Sequence, residues 1–154
     1  MENNSKIITK AGILYHEPLR IYKKEINILE EKLKVKLADD FKKINAQVGY
    51  ENSSFFEFAS FPDGVIEYTE DFRKHGLLHR YVILSDNGDI GYILMETQDL
   101  AYKPSPIIWA DHADIYNICN KGTIEYEPTI WPSFTDFFEY LVEQEEKNYI
   151  QMVD

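Results

Sequence analysis

Two histidines four residues apart are the first positions whose spacing could hold a metal ion. On a helix, His75 and His79 would share one face, as paired zinc ligands do. Gly76 lies between them and favours the end of a helix there. No carboxylate completes a recognisable zinc motif around them. We therefore expect no metal and no cofactor at these histidines.

A second candidate for chemistry is an acid beside a histidine. Asp111 and His112 follow Trp109 and could form a general acid–base pair. Adjacent residues of a strand point to opposite faces, so the two side chains would not act together. The sequence offers no recognisable third group, phosphate loop or nucleophile elbow. We expect no enzymatic activity and expect these residues to contact a partner, although a small hydrolase built around them is an alternative.

Acidic pairs in the middle of the chain could bind calcium. Glu70 and Asp71 are adjacent, and Asp86 and Asp89 flank an Asn-Gly pair. Neither segment has the alternating oxygen ligands of an EF-hand loop. Two interpretations remain, a solvated turn and an acidic patch that faces a partner.

The charge distribution also points toward a protein partner. The net charge is −11, which disfavours DNA and RNA because their binding depends on Lys and Arg at phosphates. Residues 1–50 hold ten Lys/Arg and seven Asp/Glu, whereas residues 51–154 hold six and twenty. The negative charge of the second part either keeps the chain soluble or steers a basic partner toward it.

Four phenylalanines are concentrated between residues 55 and 61, namely Phe55, Phe56, Phe58 and Phe61. At strand spacing most of them would lie in the core, and one could instead join an exposed contact site. The single Cys119 is expected to be a small packed residue.

The first part of the sequence predicts two helices. Tyr22, Ile26, Leu29 and Leu33 recur at helical spacing after Pro18. A shorter helix begins at Asp39 or Asp40, turns Phe41, Ile44 and Val48 inward, and stops at Gly49.

The middle of the sequence predicts strands. We expect them at Phe55–Phe61 and Val65–Tyr68, with a helical turn over Thr69–Lys74. Tyr81–Leu84 and Ile90–Leu94 flank Asp86-Asn87-Gly88-Asp89, which predicts a hairpin with Asn-Gly at the centre of a type I′ turn. Both strands carry apolar residues on both faces, so we place them mid-sheet with helices covering one side. Further strands are predicted at Ile107–Ala110 and Ile115–Ile118.

A closing helix completes the predicted fold. Ser133 suits an N-cap with Asp136 three positions later, and the apolar stripe that follows is Phe134, Phe137, Phe138, Leu141 and Val142. The fold class is α+β, with N-terminal helices and a C-terminal helix packed on a mostly antiparallel sheet. We expect one domain over residues 1–154, with a core of about 17–147. No apolar run reaches the roughly 20 residues of a membrane span, and the N-terminus lacks a secretory signal, so we expect a cytoplasmic protein.

The order of these motifs resembles the SUKH superfamily, which includes a fungal cell-wall-synthesis regulator and many bacterial immunity proteins. The resemblance covers about residues 25–145. Its opening is carried by Leu29, Glu30, Leu33, Val35, Leu37, Asp40 and Phe41. Later it is carried by the hairpin, by Ile107, Ile108, Trp109, Asp111 and His112, and by the Ser133 helix. Lys34 and Ala38 replace the glycine and proline that are usual in this superfamily.

The resemblance implies a non-catalytic protein that binds and neutralises a cognate secreted toxin, in many cases a basic nuclease. A regulatory scaffold that binds an endogenous cytosolic protein is the alternative. In either case no membrane or nucleic acid is expected as a partner. We expect acids to steer the partner and Tyr68 and Trp109 to anchor it. The predicted partner-binding residues are Tyr68, Glu70, Asp71, Asp86, Asp89, Trp109, Asp111 and His112.

Overall fold

The computed structural model describes residues 2–15, 18–87, 90–111, 114–115, 119 and 129–153. The fold is α+β, as the sequence predicts. Its helices are α1 (Glu2–Leu14), α2 (Lys23–Leu33), α3 (Asp39–Asn45), α4 (Asp63–Lys74) and α5 (Phe134–Val153), with a short 3₁₀ turn at Tyr50–Asn52. Its strands are β1 (Tyr81–Asp86), β2 (Tyr92–Glu96), β3 (Ile107–Ala110) and β4 (Thr129–Trp131). No helix among these residues is long and apolar enough to cross a membrane.

The four strands form an antiparallel meander in the order β1-β2-β3-β4. Alternate residues point to opposite faces of a strand, and both faces are buried here. Val82, Ile93 and Ile107 face the cluster that holds the apolar residues of α1, α2, α3 and α5. Ile83, Leu94 and Ile108 face a second cluster with Leu77 and Ile115. The expected hairpin is confirmed, and its strands have a core on either side. The expectation that both strands lie mid-sheet is wrong for β1, which stands first in the strand order and is therefore an edge strand.

The turn of this hairpin differs from the expected one. Asp86 pairs with Tyr92, and the Asn87 N–H donates to the Gly91 carbonyl at 2.8 Å. The Ile90 N–H donates to the Asn87 carbonyl at 3.2 Å, whereas a turn centred on Asn87-Gly88 would pair Asp86 with Asp89. Gly88 and Asp89 lie outside the described residues. The side-chain oxygen of Asn87 accepts the Glu57 N–H at 2.7 Å.

Two predicted strands before the hairpin are wrong. Residues 55–61 form only an isolated bridge between Phe58 and Ser85, and residues 65–68 belong to α4. Val65 and Thr69 are fully buried at a spacing of four, which is a helical repeat. A run of four residues was too short to show that repeat.

Helix α4 and the segment before it cover the outer edge of β1. The Thr69 hydroxyl accepts the Ile83 N–H at 2.9 Å, and the Leu84 carbonyl accepts the Ala59 N–H at 2.9 Å. The β1–β2 register shifts between Ile83 and Ser85, so Leu84 is left to pair on this outer side. The edge strand is thus covered, which protects it from pairing with another chain.

The predicted strand at Ile115–Ile118 is also wrong where the structure describes it. Asp114 and Ile115 are helical. The Asp111 carboxylate accepts the Asp114 N–H at 2.9 Å, and the Asp111 carbonyl accepts the Ile115 N–H at 3.0 Å. Asp111 therefore acts as an N-cap that starts a helical turn. Residues 116–118 lie outside the described residues.

The helices on either side of the sheet agree well with the sequence pattern. Ile26, Leu29 and Leu33 of α2 are buried, while Tyr22 is 56% exposed. Helix α3 turns Phe41, Ile44 and the following Val48 inward. Gly49 ends this segment at φ +73°, where a Cβ atom would lie 1.9 Å from the Leu19 carbonyl oxygen, so only glycine fits.

Helix α1 was not predicted. Ile7, Ala11 and Tyr15 recur every four residues and are buried, and α1 packs against α5. The same spacing is present in the sequence and could have identified this helix. The Lys10 ammonium forms an ion pair with Glu146 of α5.

Helix α5 begins as predicted. The Ser133 hydroxyl donates to the Asp136 carboxylate at 2.8 Å and accepts the Asp136 N–H at 3.2 Å. The five apolar residues of its stripe, Phe134, Phe137, Phe138, Leu141 and Val142, are fully buried.

Candidate functional site

The predicted partner-binding residues fall into two groups that lie on different elements. Asp86, Trp109 and Asp111 lie at one end of the sheet, because Tyr92 pairs with both Asp86 and Ala110. Tyr68, Glu70 and Asp71 lie on α4, beside the middle of β1. Asp89 and His112 lie outside the described residues.

An exposed apolar residue that sequence reasoning placed inside a strand lies at the same end of the sheet as this group. Ile90 precedes β2 and is 62% exposed. It is held from two sides, by its N–H bond to Asn87 and by the Trp109 indole, which donates to the Ile90 carbonyl at 2.9 Å. Because both bonds hold the backbone of Ile90, little backbone ordering is needed on binding, which favours this exposed aliphatic residue as an anchor.

Gly91 makes this arrangement possible. Its φ is +113°, and a Cβ atom there would lie 2.5 Å from the Ala110 carbonyl oxygen and 3.2 Å from the Trp109 indole nitrogen. Only glycine permits this close approach of the β2 start to β3. The sequence signal that could have identified Ile90 as an exposed residue is its position after the hairpin turn and directly before Gly91.

Trp109 supports the site from within. Its ring is half-buried and meets Phe56 edge-on, with centroids 5.1 Å apart. Its indole N–H is already bonded inside the chain. The residue therefore positions Ile90, and its role as a partner anchor stays a prediction.

Carboxylates flank Ile90. Asp86 is half-buried at the end of β1, and Asp111 is exposed at the end of β3. Glu57 is exposed and precedes the residue that bridges to Ser85, so its backbone lies next to Asp86. Burial raises the pKa of Tyr92, and the Asp86 charge raises it further. This end of the sheet therefore presents an apolar side chain among acids.

The α4 group is a separate acidic surface. Tyr68 is 38% exposed, and the Asp71 carboxylate lies 3.8 Å from the Lys74 ammonium. Burial lowers the pKa of the Arg73 guanidinium, and the nearby Glu70 charge opposes that shift. Each acid of this group therefore interacts with a cation of the same helix.

Comparison with protein-family models, with curated proteins and with solved structures finds no match. The two surface groups and their supports are therefore interpreted from their own geometry.

The histidines of the first motif are engaged with backbone carbonyls. His75 Nδ1 lies 2.9 Å from the Asp71 carbonyl oxygen, and His79 Nε2 lies 2.8 Å from that of Lys34. Since a carbonyl only accepts, each of these ring nitrogens donates. Within the described part of the chain, no three His, Cys, Asp or Glu side chains converge as metal ligands would.

The aromatic cluster of residues 55–61 lies mainly in the core. Phe56 is buried, Phe58 and Phe61 pack against the larger core cluster, and only Phe55 is exposed, at 38%. Cys119 is half-buried beside the second cluster, where burial raises the pKa of its thiol.

The motif residues Glu30 and Asp40 hold elements together. The Glu30 carboxylate accepts the Leu37 N–H at 2.8 Å and lies 3.3 Å from the Lys42 ammonium. The Asp40 carboxylate accepts both the N–H and the hydroxyl of Thr135, at 2.9 and 2.8 Å. The first contact fixes the α2–α3 connection and the second fixes the start of α5 on α3.

Proposed function

We propose that this chain is a protein-binding module of the SUKH type that neutralises a cognate toxin domain in the cytoplasm by occluding it. The observation that carries the proposal is the sheet end, where the exposed Ile90, with its backbone held by hydrogen bonds, shares one end of the sheet with Glu57, Asp86 and Asp111. An aliphatic anchor on an acidic surface is complementary to a basic surface that surrounds an apolar pocket.

The chemistry of the partner follows from this surface. A nuclease must attract a phosphate backbone, so the surface around its active site is basic. Acids that surround an anchor increase the rate of encounter with such a surface, and the desolvated anchor slows dissociation. Binding of this kind needs neither turnover nor a cofactor.

The motif residues support the same proposal from the fold side. Leu29, Leu33 and Phe41 are fully buried, while Glu30 and Asp40 join helices. Because these motif residues build the scaffold, the residues at the exposed end of the hairpin are free to differ from one partner to the next. The anchor role expected for Trp109 passes to Ile90 in this proposal.

The test is co-expression of the chain with the C-terminal toxin domain encoded by the neighbouring gene. Wild type is expected to restore growth, and Ile90→Asp is expected to abolish rescue because it places a charge at the anchor. Ile13→Asp is the matched control, since Ile13 is 74% exposed on α1 and should tolerate the same change. No rescue by wild type would refute toxin neutralisation, and full rescue by Ile90→Asp would refute the sheet end as the site.

A further inference from the structure

The groove beside the C-terminal end of α2 differs in charge from the rest of the molecule. It has a volume of about 850 Å³ and is lined by Glu30, Lys34, Val35, Lys36, Leu78, His79, Arg80, Thr97, Gln98 and Asp99. It lies at the opposite end of β1 and β2 from Ile90, because Tyr81 pairs with Glu96 there. It is therefore a surface distinct from the proposed toxin site.

The acids of this groove are already engaged. Glu30 is bonded to the Leu37 N–H and paired with Lys42. The Lys103 ammonium lies 2.8 Å from Asp99 and lowers the pKa of its carboxyl. The Arg80 guanidinium lies 3.5 Å from Glu96.

Two lysines on the rim are less closely engaged, although the Lys36 charge adds to the effect of Lys103 in lowering the pKa of Asp99. Lys34 and Lys36 are exposed, and neither lies within ion-pair distance of a carboxylate in the described part of the chain. At physiological salt a charge is screened beyond about 8 Å. The lining holds three cations, Lys34, Lys36 and Arg80, against two acids, Glu30 and Asp99. A ligand inside the groove therefore meets a small excess of positive charge, although the chain as a whole carries −11.

The walls of the groove are fixed before any ligand arrives. The Arg73 guanidinium donates to the carbonyls of Leu33 and His79, at 2.9 and 2.8 Å. The His79 ring donates to the Lys34 carbonyl at 2.8 Å. These bonds tie the end of α2 to the segment before β1, so little ordering is needed on binding.

The backbone of Lys34 adds an independent observation. Lys34 is the C-cap of α2 and has φ +57° and ψ +47°, the left-handed conformation. Glycine is the usual residue in this position because it has no Cβ penalty. The chain instead keeps a strained lysine there, and a strained residue held in place is a reason to look for a function.

We propose that this groove binds a short acidic segment of a protein partner. The carboxylates of the segment would face Lys34 and Lys36, and its apolar side chains would lie on the half-buried Leu78. A nucleic acid is less suitable, because two free lysines offer few phosphate contacts and the molecule as a whole is acidic. The proposal does not depend on toxin neutralisation.

The experiment measures binding of a fluorescent peptide of alternating glutamate and leucine, with a glutamine–leucine peptide as the neutral control. The glutamate peptide should bind, and its affinity should fall with added salt. Lys34→Gln and Lys36→Gln should each weaken binding about two- to five-fold, as expected for exposed ion pairs. Lys32→Gln, an exposed lysine on α2 outside the groove, should leave binding unchanged.

Lys34→Gly separates the two roles of this residue. It should raise the melting temperature, because the strain is relieved, and weaken peptide binding as Lys34→Gln does. Absent binding of the glutamate peptide, equal binding of the neutral peptide, or affinity unchanged in both Lys34 variants would overturn the proposal. If a single-stranded oligonucleotide bound more tightly and displaced the peptide, the proposal of a protein partner would be wrong and the groove would bind a nucleic acid.

Discussion

Single carboxylates in this molecule have very different tasks, and Asp40 and Glu51 illustrate the range. Asp40 accepts two hydrogen bonds at the start of α5, where a negative charge also suits the helix dipole. Glu51 is half-buried and accepts the Phe61 N–H at 3.0 Å. The residue types alone do not distinguish these acids from the exposed ones.

We predict that Asp40→Ala lowers the free energy of unfolding by about 2 kcal/mol, the scale of a lost helix cap with charge-assisted bonds. Asp39→Ala is the matched control, since its side chain is exposed at the start of the same helix. Its effect should stay within about 0.5 kcal/mol. Urea unfolding measures both, and equal losses would show that the link between Asp40 and α5 contributes nothing.

Glu51 makes stability depend on pH. Burial raises the pKa of its carboxyl, and the hydrogen bond from Phe61 opposes this shift only in part. The folded state therefore holds the proton more tightly than the unfolded state does, so this group's contribution to stability falls as pH rises from the unfolded pKa through the folded one.

We predict that Glu51→Gln is more stable than wild type at neutral pH and loses less stability between about pH 4 and pH 7. The glutamine carbonyl can still accept the Phe61 N–H. Melting temperatures across this pH range provide the measurement, and parallel curves for the two proteins would contradict the assignment.

At the scale of elements, the edge of β1 decides the architecture. A strand was expected where α4 lies, and α4 instead supplies a hydroxyl to the Ile83 N–H. Val65-Ile66-Glu67-Tyr68 has the composition of a strand. The packing of Val65 and Thr69 against β1 outweighs that local preference. A helix buries one face along its whole length, whereas a strand here would have only four residues.

We predict that Thr69→Val destabilises the fold by about 1–3 kcal/mol, because it leaves a buried N–H without an acceptor while keeping the side-chain shape. Hydrogen exchange of the Ile83 amide should accelerate in this variant. Thr69→Ser keeps the hydroxyl and should keep the Ile83 amide protected. Unchanged exchange in Thr69→Val would mean that α4 does not supply this acceptor.

At the scale of the whole molecule, the charge is divided between surfaces. Lysines of the opening helices compensate some acids, as Lys10 does for Glu146. The Glu146 hydrogen bond raises the pKa of Lys10, and the charges of Glu143 and Glu139 add to that effect. The acids of α4 and of the sheet end lie on elements other than the helices that carry these lysines.

If the proposed toxin association is steered by these acids, the double reversal Glu70→Lys and Asp71→Lys should slow it several-fold at low salt. Near physiological salt the difference should shrink, because screening weakens the steering. Glu31→Lys, an exposed acid on α2, serves as the control. Stopped-flow association rates measure the effect, and equal rates for all three proteins at low salt would remove α4 from the steering surface.

The sequence by itself determined the elements whose pattern is long or whose local chemistry is specific. Helices α2, α3 and α5 were predicted from spacing and capping, and the strands of the hairpin from their apolar runs. Local interactions determine the secondary structure of such segments, so a short stretch of sequence is enough to predict them.

Only the tertiary structure decided which residues share a surface. The hairpin register brings Asp86, Ile90 and Asp111 to one end of the sheet, and the bond from Trp109 fixes Ile90 there. The groove of Lys34 and Lys36 forms because Arg73 and His79 join α2 to the segment before β1. These contacts join residues far apart in the chain, and no local pattern encodes them.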